Sequence, residues 1–220
     1  MLGQIGYLPS ETAFYSGMKV KDLLSFAAKM RGVDCKEEAK VLCERLELNP
    51  ERTIDQLSLG NRKKVGIVCA LQHAPALYIL DEPTGGLDPL MQREFYKILK
   101  ERNEQGATVF LSSHNLFEVS RYCKHAAVIR EGRILALDSV EKLGHTGVKR
   151  VSLRGTGQAP TLPGMRDVKV EAEGVRFLYD GDVHLLLQAL ASISFEDLTL
   201  TDPELDEIFM HYYEKGDTLQ

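Results

Sequence analysis

The sequence predicts an α/β protein: a mostly parallel sheet covered by helices, followed by a small α+β unit. Three observations carry this. Leu77–Leu80 is a short apolar run that ends in Asp81, Glu82 and Pro83, and Thr108–Leu111 is another that ends in Ser112, Ser113 and His114. Bounded runs of this length read as buried strands. From Leu57 to Ile129 such strands alternate with helical patterns, as in a parallel sheet joined by crossovers. After Gly144 the alternation gives way to a Gly-, Pro- and Thr-rich stretch and short strand-like pieces.

Taken in order, Gln4–Leu8 reads as a strand that Pro9 breaks. A sheet strand with nothing before it leads to the expectation of a further segment upstream. Val20, Leu23, Leu24, Ala27 and Ala28 follow helical spacing up to Gly32, and Cys35–Leu46 reads as a second helix with an acidic face. These two helices form an inserted helical layer. Ser58 then stands before a helix that turns Val65, Val68, Cys69 and Leu71 inward. Asp88 followed by Pro89 is a strong helix start, and that helix runs to about Gln105 and stops at Gly106. Leu116–Tyr122 is a short helix. Ala126–Ile129 and Arg133–Leu137 are strands around a Glu131-Gly132 turn, and Asp138–Leu143 is a short helical segment. In the tail, Arg154–Gly164 is a loop, and Val168–Ala172, Val175–Tyr179 and Ile193–Thr199 are strand-like. Val183, Leu186, Leu187 and Leu190 mark one helix, and Leu205, Ile208, Phe209 and Tyr212 mark another that Pro203 opens.

Composition narrows the function classes. The 220 residues are 44% hydrophobic and 27% charged, enough for one or two domains with real cores. A net charge of -5 provides no bulk attraction to nucleic acid. The basic run Arg62–Lys64 reads as a solvated helix face. No apolar run approaches the roughly 20 residues that span a bilayer, and MLGQIGYLPS lacks the pattern of a signal peptide. Cys35, Cys43, Cys69 and Cys123 show no CxxC spacing and read as reduced core or surface residues.

Three places carry chemistry. In open parallel sheets ligands sit beyond the carboxyl ends of the strands, where Asp81 and Glu82 stand. One acid there can hold a Mg²⁺ and the other can polarise a water; equally, both can end the strand in solvent. Ser58 and Gly60 open a helix, whose bare N–H groups favour an anion; equally, Ser58 is an ordinary N-cap. His114, at the tip of a second strand, can reach a phosphate or an attacking water; equally, it is a surface histidine.

GYLPSE (Gly6–Glu11), LSLGN (Leu57–Asn61), LYILDEPT (Leu77–Thr84), GGLDP (Gly85–Pro89) and SSH (Ser112–His114) follow one another in an order and spacing that resemble the nucleotide-binding domain of ABC transporters. The resemblance spans roughly Gly3 to Leu143. It implies a truncated P-loop NTPase fold of the ABC ATPase kind, with residues 1–145 as a partial nucleotide-binding domain, a helical subdomain at about 12–75, and a small α+β accessory domain at 146–220. It implies ATP and Mg²⁺ as cofactors, with Asp81 on the Mg²⁺ shell, Glu82 as the catalytic glutamate and His114 as the switch histidine. Asp88 matches the aspartate that couples two sites across a dimer. Ser58, Gly60 and Asn61 match the signature loop that caps the other subunit's nucleotide. The ending from Asp202 to Phe209 looks like that of ABC-2 type export ATPases of the bacitracin and drug-efflux kind. The implied partners are a membrane permease, met by the helix Lys19–Arg31, and a second ATP-binding subunit, at the cytoplasmic face of the membrane.

Three departures matter. No G-x-x-x-x-G-K-[ST] phosphate loop occurs in the 220 residues, and the resemblance places that loop upstream of GYLPSE. The position that usually holds a Mg²⁺-bridging Gln is Ser10, followed by Glu11. The signature reads LSLGN, with Leu59 in place of a Gly. These departures lead to the expectation that this chain binds ATP weakly or not at all in cis. They leave two readings, an exporter ATPase subunit or a non-catalytic partner that caps another subunit's nucleotide. A translation or DNA-repair ATPase of the same class would show a second ATPase domain or a long heptad coiled coil, and the 220 residues contain neither.

Overall fold

The computed structural model describes residues 2–144 and 147–203. Two compact units divide at His114/Asn115. The expected domain division at 145/146 falls inside the second unit, just before its main sheet.

The first unit is built on three parallel strands, β1 (Ile5–Leu8), β2 (Leu77–Asp81) and β3 (Thr108–Ser112), in the order β1-β2-β3. Leu8 stands opposite Leu80, and Asp81 opposite Ser112, so all three carboxyl ends open at the same edge. The helices are α1 (Val20–Arg31), α2 (Lys36–Arg45), α3 (Leu59–Leu71) and α4 (Pro89–Glu104). Each boundary has a local cause. Gly32, at φ +68°, closes α1 in the left-handed conformation that glycine adopts freely, and its N–H returns to Ala28 and Lys29. Asp88 caps α4 by accepting from the N–H groups of Leu90 and Met91, with Pro89 in the first turn.

One sheet face buries Leu8, Tyr78 and Leu80 against α3 (Ile67, Val68, Leu71) and α4 (Phe95, Ile98, Leu99). Helix α3 lies so close to β1 that glycine is needed on both sides. A Cβ at Gly6 would stand 2.3 Å from the Ala70 carbonyl oxygen, and one at Gly66 would stand 2.9 Å from Leu8 Cδ1. This closeness corrects the expectation of a solvated basic face: Lys63 and Lys64 are 5% and 7% exposed. Lys63 shares its stripe with Gly66, Ile67 and Ala70, three, four and seven residues on, and that stripe faces the sheet.

The helical layer is fastened polar group by polar group. Asp55 accepts from Gly17 N–H at 2.6 Å and from Ser16 Oγ at 3.1 Å, and Ile54 N–H returns to Met18 O. Arg45 on α2 clamps Glu94 and Glu101 on α4 at 2.6 and 2.5 Å, and Arg102 on α4 returns to Glu38 on α2.

The second unit holds α5 (Leu116–Tyr122), β4 (His125–Arg130), β5 (Arg133–Ser139), α6 (Val140–Gly144), β6 (Lys149–Arg154), β7 (Met165–Glu171), β8 (Gly174–Tyr179), α7 (Val183–Leu190) and β9 (Asp197–Thr201). The parallel sheet does not extend to Ile129 as the alternation suggests: β4 pairs antiparallel with β5. Their turn has φ +50° at Glu131 and +76° at Gly132, the doubly left-handed geometry that suits tight hairpins. β5 runs on to Ser139, so the helical segment expected from Asp138 begins at Val140.

The main sheet of this unit is antiparallel, in the order β7-β8-β6-β9. Its core gathers Val151, Leu153, Val175, Phe177 and Tyr179 around Leu186 and Leu190 of α7. Strand β6 was not expected from sequence, and β9 starts at Asp197, not at Ile193. Asp202 and Pro203 are described; the helix expected through Leu205, Ile208, Phe209 and Tyr212 lies outside the described residues. Among the described residues no helix is long and apolar enough to cross a membrane.

Candidate functional site

The three strand ends of the first unit converge into one polar constellation. Asp81, last residue of the central strand, is flanked by Ser10 after β1 and by Ser112 at the end of β3. Ser112 Oγ donates to Asp81 Oδ1 at 2.5 Å and accepts the Glu82 N–H at 3.1 Å. Ser10 stands exposed beside Asp81. The Ser112 hydroxyl first, then Ser10 and the nearby Lys63 ammonium, hold the Asp81 carboxyl below its usual range. Asp81 is therefore a fixed anion at neutral pH.

Glu82 follows at φ +43°, a left-handed conformation that turns the chain sharply off the strand. Its Oε2 accepts from His114 Nδ1 at 2.8 Å. The glutamate is partly shielded while His114 is largely exposed, so the pair presents itself at the open edge of the sheet.

Behind the carboxylates sits Lys63. Its Nζ donates to Ser10 O at 2.8 Å and to Pro9 O at 3.3 Å. Burial pushes its pKa down, opposed by attraction to Asp81 and Glu82.

Ser58, Gly60 and Asn61 occupy a second place, the start of α3. Ser58 Oγ accepts the Asn61 N–H at 3.3 Å, as an N-cap does. Gly60 abuts the Gly85-Gly86 turn: a Cβ there would stand 2.4 Å from the Gly86 carbonyl oxygen. Leu59 lies outside this contact, three-quarters exposed, against the other side of Gly86.

The structure thus brings together Ser10, Asp81, Glu82 and His114, and keeps Ser58, Gly60 and Asn61 as a separate helix start. Asp88 stands apart from both as the cap of α4. Sequence reasoning missed Ser112 and Lys63. Ser112 was within reach, since a hydroxyl one strand over from Asp81 in a parallel pair lies in register with it.

Among the described residues, no group of three or more His, Cys, Asp or Glu is arranged to hold a metal by itself. Mg²⁺ does not require one, because it commonly takes one or two carboxylates, several waters and phosphate oxygens. The ionised Asp81 and the Ser10 hydroxyl are hard oxygen donors that fit this pattern. What the arrangement can do chemically is hold a hard cation at Asp81 and orient a water beside the Glu82–His114 pair.

Comparison with known proteins agrees with this geometry. A family model described as "AAA domain, putative AbiEii toxin, Type IV TA system" matches residues 37–120, which include β2, α4 and β3. An uncharacterized ABC transporter ATP-binding protein of Alkalihalophilus pseudofirmus is 28% identical over 218 residues, covering 94% of this chain and 82% of that protein. The chain is a homologue of ABC transporter ATP-binding proteins. A bacitracin transport ATP-binding protein of Bacillus licheniformis is 36% identical over 141 residues, 61% of this chain and 45% of that protein. A solved structure titled as the ATP-binding subunit of an ABC transporter superposes with a TM-score of 0.61 at 29% identity, covering 64% of this chain and 61% of that one. The α/β fold thus matches that of an ABC transporter ATP-binding subunit.

Proposed function

We propose that this chain supplies the metal- and water-facing side of an ATP site, and the signature segment, in the ATP-hydrolysing subunit of an ABC-2 type exporter. It powers a separate membrane permease from the cytoplasmic face and works as one of a pair of ATP-binding subunits. The single observation that carries this is the convergence of Ser10, Asp81, Ser112, Glu82 and His114 on one edge of the sheet.

The geometry supports the following roles. Asp81 and the Ser10 hydroxyl hold the Mg²⁺ of Mg·ATP, which supplies charge neutralisation at the phosphates. Glu82 accepts a proton from the attacking water or orients it, and His114 holds the Glu82 carboxylate and faces the terminal phosphate. Asp88 sets the direction of α4 after the Gly85-Gly86 turn, against which a second subunit packs. Ser58, Gly60 and Asn61 present the positive end of α3 to the partner's nucleotide. The permease meets the helical layer, where Phe26 and Met30 stand exposed on α1.

A specific observation favours a second reading of the same site. The Ser58 cap and the Gly60 contact are intact at the start of α3. In that reading the chain caps a nucleotide held by another subunit without hydrolysing one itself. The acidic net charge supports neither reading as a nucleic-acid binder.

Affinity purification through this chain from detergent-solubilised membranes of its source tests the proposal. A polytopic membrane protein and Mg-dependent ATPase activity are expected to co-purify, and charged substitution at Phe26 and Met30 is expected to release the membrane protein. Recovery of the chain without a membrane partner contradicts the permease assignment.

A further inference from the structure

Glu82 is held at both ends by one strand end. Ser112 and His114, where β3 finishes, reach its two extremities. Ser112 Oγ accepts the Glu82 N–H at 3.1 Å, and His114 Nδ1 stands 2.8 Å from Glu82 Oε2. The same Ser112 hydroxyl donates to Asp81 Oδ1 at 2.5 Å, the short distance of a hydroxyl on a carboxylate. Register explains how one side chain serves both acids. Asp81 stands opposite Ser112 in the parallel pair, so their side chains leave the sheet on the same face. Chemistry explains why that side chain is a serine. An ionised carboxylate only accepts and a backbone N–H only donates, whereas a hydroxyl does both at once. Between the Ser112 and His114 contacts the chain turns at Glu82 with φ +43°, a conformation that a residue with a Cβ keeps only when its surroundings enforce it.

We propose that Ser112 is a positioning residue for the Glu82 carboxylate: its hydroxyl joins Asp81 to the Glu82 N–H, enforces the left-handed turn and so delivers the carboxylate to His114. The metal-facing acid and the water-facing acid then share one anchor, and a displacement of the β3 end moves both together. This rests on the proposed ATP reading and deepens it by naming what sets the two acids relative to each other.

Valine and threonine share a shape and a strand preference and differ in the hydroxyl, so Ser112→Val against Ser112→Thr isolates that group. In nucleotide-free crystal structures of the intact chain, Ser112→Val is expected to take Glu82 out of the left-handed region and to open the Glu82–His114 contact beyond about 3.5 Å. Ser112→Thr is expected to keep both, with Tyr78 and Leu80 in place in either variant. In the assembly purified from its source through this chain, Ser112→Val is expected to lower the ATPase kcat about tenfold or more, with KM for Mg·ATP within about twofold and with Ser112→Thr within about threefold of wild type. A Ser112→Val structure that retains the turn and the His114 contact overturns the proposal. So does an equal disturbance in Ser112→Thr, which would mark shape in place of the hydroxyl. An active assembly whose kcat ignores Ser112→Val overturns it as well. Should Ser112→Val fail to fold, Ser112→Ala replaces it under the same criteria. The structural comparison contains no ATP. An assembly without ATPase activity therefore counts against the ATP reading, and the Glu82 turn alone then decides the role of Ser112.

Discussion

Glu82 sits at φ +43°, where a side chain with a Cβ crowds its own backbone at a cost of about 1–2 kcal/mol. Proteins keep such strain where surrounding structure enforces it, and here Ser112 Oγ holds the Glu82 N–H while His114 holds its carboxylate. Glu82→Gly is therefore expected to be more stable than Glu82→Ala by about 1 kcal/mol, because both lose the carboxylate and only glycine loses the strain. Urea titrations of the two variants check this; equal midpoints would show that the backbone there is unstrained. At this scale much of the site was legible. Acids closing an apolar strand and a histidine closing the next marked Asp81, Glu82 and His114, because strand ends are fixed by local pattern. Lys63 was not legible, since three consecutive cations look the same whether a helix face meets water or another strand. Only the Gly6 and Gly66 contact with β1 decides that.

Between elements, the α2–α4 clamp gives the first unit a pH response. Arg45 holds the Glu101 carboxyl below its ordinary value of 4.5. A carboxyl depressed in the folded state stabilises fully above its unfolded pKa, and the benefit is lost as pH falls toward the folded one. Arg45→Met is expected to lower Tm and destabilise the fold at pH 7 by on the order of 1 kcal/mol, since solvent screens this partly exposed pair. That gap is expected to shrink as pH falls below about 4.5. A gap that persists unchanged at low pH would show that Arg45 acts through packing alone.

The outer face of the three-stranded sheet gives a second expectation. Tyr7, Ile79 and Phe110 share one cross-strand row, with Tyr7 56% and Phe110 66% exposed. Parallel sheets are ordinarily covered on both faces, and apolar rows left open bind other apolar surface. The chain is expected to bind a hydrophobic reporter dye in its folded state, with Tyr7→Thr plus Phe110→Thr reducing the signal at least about twofold. Dye binding that ignores these substitutions would place the sticky surface elsewhere.

Pairing direction was the part of this scale that sequence could not provide. Strand and helix alternate from Leu57 to Ile129 whether or not the last strand joins the sheet, and only the Glu131-Gly132 turn hints that β4 folds back on β5. β6 was missed for a related reason. Its inward residues are just Val151 and Leu153, set between Lys149, Arg150 and Arg154, too sparse a pattern to announce a central strand.

At the scale of the whole chain there are two cores, one around Tyr78, Leu80 and Phe95, the other around Val151, Phe177 and Leu186. The candidate site lies in the first. The strand ends, the start of α3 and the α4 cap all lie within residues 1–114, and the second unit contributes an antiparallel sheet with a helix on it. The change of pattern after Gly144 marked a switch to an antiparallel sheet, while the compact units separate at His114. The central claim is that the strand-end carboxylates work on Mg·ATP. It is tested most directly by the ATPase rate of the assembly purified from its source through this chain, with and without Glu82→Gln. The account predicts a fall in kcat of about 100-fold or more, as expected for losing a group that orients or deprotonates the attacking water, with KM nearly unchanged. An unchanged kcat would contradict it.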